Sequence, residues 1–179
     1  MILYISIILA SILLDQATKL WAIECLDIFE RIDAVPFFIN FYHIKYPGAA
    51  WGMFSDNRWI FLVISSVAII ALPVFLYKFR HAPKIFGVSL SLIIGGAAGN
   101  MIDRLFAENG YVTDFIEFAF MDFPIFNVAD ICVCIGAFML FIYLAFFDKV
   151  VFPPEEKKKK DCAPAKEEKP EGGEEEEND

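Results

Sequence analysis

Four apolar runs, each about as long as a helix must be to cross a bilayer, limit what this chain can fold into. They are Ile2 to Ala22, Trp59 to Phe79, Ile85 to Leu105 and Val128 to Phe147. Inside lipid a backbone has to satisfy its own N–H and C=O groups, which for spans of this length means helices. The expected fold class is therefore a mainly α membrane protein with four transmembrane helices and a small extracytoplasmic β-rich element at the membrane surface. Asp15 and Lys19 interrupt the first run four residues apart, on one helix face. That run lacks the basic start and small-residue cleavage site of a signal peptide, so it reads as a retained span. Pro73 predicts a kink in the second.

Between the spans, Pro36 to Phe54 and Thr113 to Phe126 are rich in aromatic and β-branched residues and read as short strands that can share a small sheet. Lys78, Arg80, Lys84, Lys149 and Lys157 to Lys160 fall on one side of the membrane; Arg31, Lys45, Arg58 and the boundary residue Arg104 fall on the other. The excess of basic residues places both termini in the cytoplasm. Trp21, Trp51 and Trp59 then lie near the outer interface.

The net charge of −9 misdescribes the membrane part, because Pro153 to Asp179 alone carries eleven acids and six lysines. That stretch has no apolar periodicity and reads as disordered, which divides the chain into a membrane domain, 1–152, and a charged tail, 153–179. Cys25, Cys132, Cys134 and Cys162 form no CxxC pair, and His43 and His81 are isolated, so no zinc site is supported.

The polar residues gather at one depth. At about 1.5 Å per residue, Asp15 lies roughly 20 Å from the cytoplasmic start of the first span, and Asn100 and Asp103 roughly 24 to 28 Å from that of the third. The fourth span runs the other way and enters at Asn127, which puts Asp130 about one turn below the outer surface. Asp114 lies in the loop between these two spans. Ionisable groups at such a depth are costly and point to function.

Two neighbouring aspartates suit peptide hydrolysis, because they do not comfortably both ionise: one serves as base while the other keeps a proton. Asp114 and Asp130 are the candidates, with Asn100 and Asn127 to hold the carboxylates or substrate and Arg104 to pair with Asp103 at the end of the third span. No HExxH, GxSxG or cysteine–histidine arrangement offers a rival nucleophile or zinc centre. A cation held by Asp103, Asp114 and Asp130 is the alternative. Asn127 and Asp130 also have the spacing of an N-cap and its N3 partner. Asp15 and Lys19 read equally well as an interfacial ion pair, with Lys19 reaching outward, or as substrate-positioning groups. Gly95 and Gly99, in GxxxG spacing, read as a packing surface for the fourth span. Glu24, Asp27, Glu30, Asp33, Glu117 and Asp122 read as solvated loop residues.

DQATK in the first span, PGAAWG before the second, GGAAGNMIDR, VTDF and FPIFNVAD, in that order, resemble the lipoprotein signal peptidase (type II signal peptidase) family of bacteria. The resemblance covers nearly everything from Asp15 to Gly136 and is specific as a combination. It implies an intramembrane aspartyl endopeptidase of the cell membrane, without a cofactor, that removes the signal peptide of prolipoproteins on the amino side of a diacylglyceryl-modified cysteine. It also implies inhibition by the cyclic peptide globomycin. By motif position it makes Asp114 and Asp130 the catalytic pair, and Asp15, Lys19, Asn100, Asp103, Arg104 and Asn127 the polar surround. The family's N-x-G-A-A segment departs here to Tyr46-Pro47-Gly48-Ala49-Ala50, and a tyrosine does not reproduce the paired donor and acceptor of an amide. A transporter using Asp15, Asp103 and Asp130 as a relay would need a polar path that the cytoplasmic halves of the second and fourth spans lack. A non-enzymatic scaffold assembled through the GxxxG face would tolerate aspartate-to-asparagine changes.

Overall fold

The structure, a computed structural model, describes residues 1–27, 29–46, 58–107 and 110–147, with the side chains at 44–46, 58 and 61 left out. Trp51, the PGAAWG segment from Pro47 on, and residues 148–179, which include the whole tail of 153–179, lie outside the described residues. The elements run α1 (Ile2–Cys25), β1 (Arg31–Val35), β2 (Ile39–Tyr46), α2 (Arg58–Lys78), α3 (Lys84–Phe106), β3 (Val112–Phe118) and α4 (Val128–Phe147).

All four expected helices form, each within a few residues of its apolar run. Three of them, α1, α3 and α4, are long and apolar enough to cross a membrane, whereas the apolar stretch counted for α2 is the shorter Leu62–Lys78. The helix α2 itself spans 21 residues, Arg58–Lys78, and carries Pro73 inside it. Among the described residues there are thus three candidate membrane-spanning helices. Large apolar side chains face outward along the helices, including Ile2 and Leu13 of α1, Ile70 of α2 and Phe138 and Phe146 of α4. Such a surface suits lipid rather than water.

Helix α3 is central and packs against α1, α2 and α4. Its small residues make this geometry possible. A Cβ on Gly95 would lie 2.6 Å from the Ser11 Cβ, and one on Gly99 would lie 2.5 Å from Asp15 Oδ2. Both glycines therefore face α1, not the fourth helix as the GxxxG spacing alone suggested; Gly96 is the one that meets α4, at Ala129 and Val133. GxxxG spacing identifies a close-packing face without naming its partner. Away from the polar end, Tyr4, Leu76, Phe86, Leu90, Ile94 and Tyr143 form the apolar core between the helices.

The strands form one antiparallel sheet in the order β1-β2-β3. The expected pairing of the two outer segments is present: Ile39 is opposite Phe118 and Asn40 opposite Glu117. The strand β1 lies ahead of the segment expected to hold the strands, paired with β2 from Arg31↔Tyr42 to Val35↔Ile39. It is exposed along its whole length; Arg31 to Ala34 alternate polar and apolar residues, but over so short a run that the pattern stands out little from its surroundings. Glu117, expected to be a solvated loop residue, is in β3 and accepts from Arg31 Nη2 at 2.7 Å and Asn40 Nδ2 at 3.0 Å. The sheet sits on the helices through a small cluster of Ala22, Leu26 and Phe115, with Trp21 edge-on to Phe41 at 5.0 Å between ring centroids.

Candidate active site

The polar residues converge where the end of α3, the start of α4 and the sheet meet one face of α1. Buried residues on α1 recur at Tyr4, Ser11, Asp15, Lys19 and Ala22, a single stripe. Within it Asp15 is fully buried and Lys19 is 2 % exposed. Lys19 Nζ bridges Asp15 Oδ2 at 2.8 Å and Asp103 Oδ2 at 3.0 Å. The outward-reaching lysine considered from sequence is thus overturned: two carboxylates inside the bundle hold the ammonium more effectively than the interface would. A pair this deep is costly to desolvate, and removing one partner from such a pair typically costs about 3 to 5 kcal/mol.

The same two carboxylates fasten the helices and the sheet to one another. Asp15 Oδ1 accepts the Ala129 N–H at 2.9 Å, tying α1 to α4. Asp103 accepts the Thr113 N–H at 3.1 Å and Gln16 Nε2 at 3.0 Å, tying α3 to β3 and α1. Both Asp103 oxygens are therefore engaged, which leaves the cation alternative without its third carboxylate. Arg104 Nη1 donates to the Asn100 carbonyl at 3.3 Å, and its charge acts on Asp130, Asp114 and Asp103.

Asn127, fully buried, caps α4. Its backbone N–H donates to Asp130 Oδ2 at 3.2 Å, and the Asp130 N–H donates back to Asn127 Oδ1 at 3.0 Å. This is the reciprocal capping arrangement expected from the spacing. Asn127 Nδ2 donates to Asp114 Oδ1 at 2.6 Å and to Asn100 Oδ1 at 3.0 Å. Asn100 Nδ2 in turn donates to Asp130 Oδ1 at 2.8 Å. One cap residue thus links the carboxylate of β3 to that of α4. Burial, and then the charge of Asp130, push the Asp114 carboxyl up to about 8, against the hydrogen bond from Asn127.

All eight residues singled out from the sequence, Asp15, Lys19, Asn100, Asp103, Arg104, Asp114, Asn127 and Asp130, lie in this one network. Two contributors escaped that reading. Gln16, beside Asp15, reaches Asp103 and the Gly99 carbonyl, and its only signal was a polar residue in an apolar run. Thr113 acts through its backbone, which side-chain reasoning does not detect.

Residues 7–146 match the family model described as Signal peptidase (SPase) II. A lipoprotein signal peptidase of Clostridium tetani is 44% identical over 143 residues, covering 78% of this chain and 90% of that protein. One of Clostridium acetobutylicum is 37% identical over 150 residues, covering 80% and 94%. A bacterial membrane enzyme solved by the in meso method at 2.3 Å resolution superposes with a TM-score of 0.73 at 33% identity, over 86% of this chain and 92% of that one. With a family match through all four helices and the sheet, and relatives this similar over most of their length, the chain belongs to the signal peptidase II family of membrane proteases.

Proposed function

We propose that the protein is an intramembrane aspartyl endopeptidase. In this reading it cleaves the signal peptide from prolipoproteins on the amino side of the diacylglyceryl-modified cysteine, with Asp114 and Asp130 as the catalytic pair. The observation that carries this reading is the bridge through Asn127, which holds one carboxylate by its side chain and the other by its backbone. One carboxylate accepts a proton from water as the water oxygen bonds to the scissile carbonyl carbon. The other gives its proton to the carbonyl oxygen. Asp15, Lys19, Asn100, Asp103, Arg104 and Asn127 hold this pair and the substrate backbone. The exposed apolar flanks suit the acyl chains of a substrate arriving through the bilayer.

In the same reading α2 is a fourth span, both termini are cytoplasmic, the site faces the outer leaflet of the cell membrane, and 153–179 is a tail distinct from the membrane domain of 1–152. Globomycin, as a cyclic peptide, would occupy the substrate's place. The test is cleavage of a diacylglyceryl-modified prolipoprotein peptide by the purified full chain in detergent. Wild type is expected to cut before the lipidated cysteine, with chelator present or absent, and globomycin to stop it. Asp114→Asn and Asp130→Asn should be folded and inactive. Full activity in either variant would sink the pair.

A further inference from the structure

A buried cation stands one amide away from Asp130, and the orientation of that amide is fixed by its neighbours. Asn100 Oδ1 accepts from Lys19 Nζ at 3.0 Å and from Asn127 Nδ2 at 3.0 Å, which leaves Nδ2 to donate to Asp130 Oδ1 at 2.8 Å. Turned over, the amide would set N–H donors against an ammonium and an oxygen against a carboxylate. Lys19 is itself held by Asp15 and Asp103. We infer that Lys19 is a positioning residue that acts through Asn100 to keep a donor on Asp130, so that Asp130 is the ionised, water-activating carboxylate and Asp114 carries the proton. This assignment rests on the catalytic pair proposed above.

The hydrogen bonds at the two carboxylates point the same way. Asp130 accepts from Asn100 Nδ2 and from the Asn127 N–H, in the first turn of α4 where the helix favours negative charge. Asp114, among the described residues, accepts from Asn127 Nδ2 alone. Its carboxyl, pushed up to about 8, keeps a proton at neutral pH. The charged groups facing the pair are Asp15 and Lys19 from α1 and Asp103 and Arg104 from α3. Arg104 acts on both carboxylates, on Asp130 ahead of Asp114, and the charge of Lys19 reaches Asp114 as well; the direct hydrogen bond from the Asn100 side chain to a carboxylate, however, is to Asp130.

The reaction then balances. Asp130 takes a proton from water as the new C–O bond forms, and Asp114 protonates the carbonyl oxygen to give a diol. On collapse, Asp114 recovers a hydroxyl proton, the C–N bond breaks, and the proton held by Asp130 leaves on the amine.

The test is a double-mutant cycle in the full chain, with kcat, KM and the pH profile of kcat measured on the diacylglyceryl-modified peptide. Lys19→Met and Asn100→Ala are each expected to lower kcat on the order of 10- to 100-fold, the usual weight of one hydrogen bond to a charged group. KM should stay near wild type and the acidic limb of the profile should move to higher pH. The double variant should be no slower than the slower single, since both break one route. Additive losses, or an unmoved acidic limb, would overturn the assignment. Should Lys19→Met fail to accumulate, Asn100→Asp keeps a partner for Lys19 but removes the amide donor, and a wild-type kcat there would overturn it equally. Asp114→Asn and Asp130→Asn, run alongside, separate the two failures: activity in either removes the pair and this assignment with it. Inactivity in both with additive losses in the cycle removes the assignment alone.

Discussion

Raising the pH through 8 is expected to switch cleavage off by taking the proton from Asp114. Its carboxyl is pushed up to about 8 by burial and by the charge of Asp130. With that value about nine-tenths of the molecules carry the proton at pH 7 and about one-tenth at pH 9; at an ordinary carboxyl value, roughly one molecule in a thousand would carry it at pH 7. The shift thus enlarges the proton-bearing population about a thousandfold at neutral pH. If the proton is delivered in the rate-limiting step, kcat should fall about tenfold per unit once pH passes the transition. The assay is initial cleavage of the lipidated peptide by the full chain in detergent, from about pH 6 to about pH 10, with thermal unfolding followed in the same buffers. Stability has a definite sign too. The folded state holds this proton more tightly than the unfolded chain, so the contribution of Asp114 is fully present below the ordinary carboxyl value and is lost as pH rises through about 8. Asp114→Asn should therefore be inactive at every pH, yet lose less stability than wild type on going from neutral to alkaline buffer. A kcat that stays level through this range while the protein remains folded would refute the reasoning.

Three further outcomes follow from particular contacts. Asn127→Ala removes the cap of α4 and the bridge between the carboxylates; it should lower the unfolding free energy by about 1 kcal/mol and reduce kcat far more than KM, as measured by unfolding and cleavage on one preparation. Gly99→Ala sets a methyl group 2.5 Å from Asp15 Oδ2, on a carboxylate already held by Lys19 and the Ala129 N–H; an overpacking cost of about 1 to 3 kcal/mol is expected, and unchanged thermal stability would show that α1 moves aside freely. Glu117→Gln weakens a pair whose arginine is 55 % exposed; it should change stability by less than about 1 kcal/mol and leave cleavage untouched, which the same two assays check.

The helices were legible because long apolar runs admit few solutions in lipid, and the site was legible because depth counted along those runs brought distant polar residues to one level. What the sequence withheld was partnership. Lys19 has a stem long enough to reach the interface, and only the positions of Asp15 and Asp103 on either side of it decide that it turns inward. The α3 glycines announce a close approach, but whether α1 or α4 makes it depends on which way the helix is rotated. The edge strand β1 was missed because its polar–apolar alternation, Arg31 to Ala34, is only four residues long and lies ahead of the aromatic-rich segment, with no buried face to anchor it. Glu117 looked solvated because its partners, Arg31 and Asn40, come from strands more than seventy residues away.

The arrangement also explains why a helix as weakly packed by its own side chains as the glycine-rich end of α3 sits at the centre. In the proposed reading, a carboxylate pair that shares a proton needs low polarity around it, and low polarity makes every unpaired polar atom expensive. Here the cost is met by saturation: Asp15, Lys19, Asp103, Asn100 and Asn127 each satisfy one another or a backbone N–H. Saturation of that kind requires α1 and α4 to come within side-chain hydrogen-bond reach of α3 at the same level, and Gly99 toward α1 and Gly96 toward α4 are the positions where a Cβ would prevent it. On the proposed mechanism, small residues on α3 are thus a condition for the chemistry and not only for packing. Enlarging either glycine is expected to cost activity through Asp15 and Ala129 before it costs the fold.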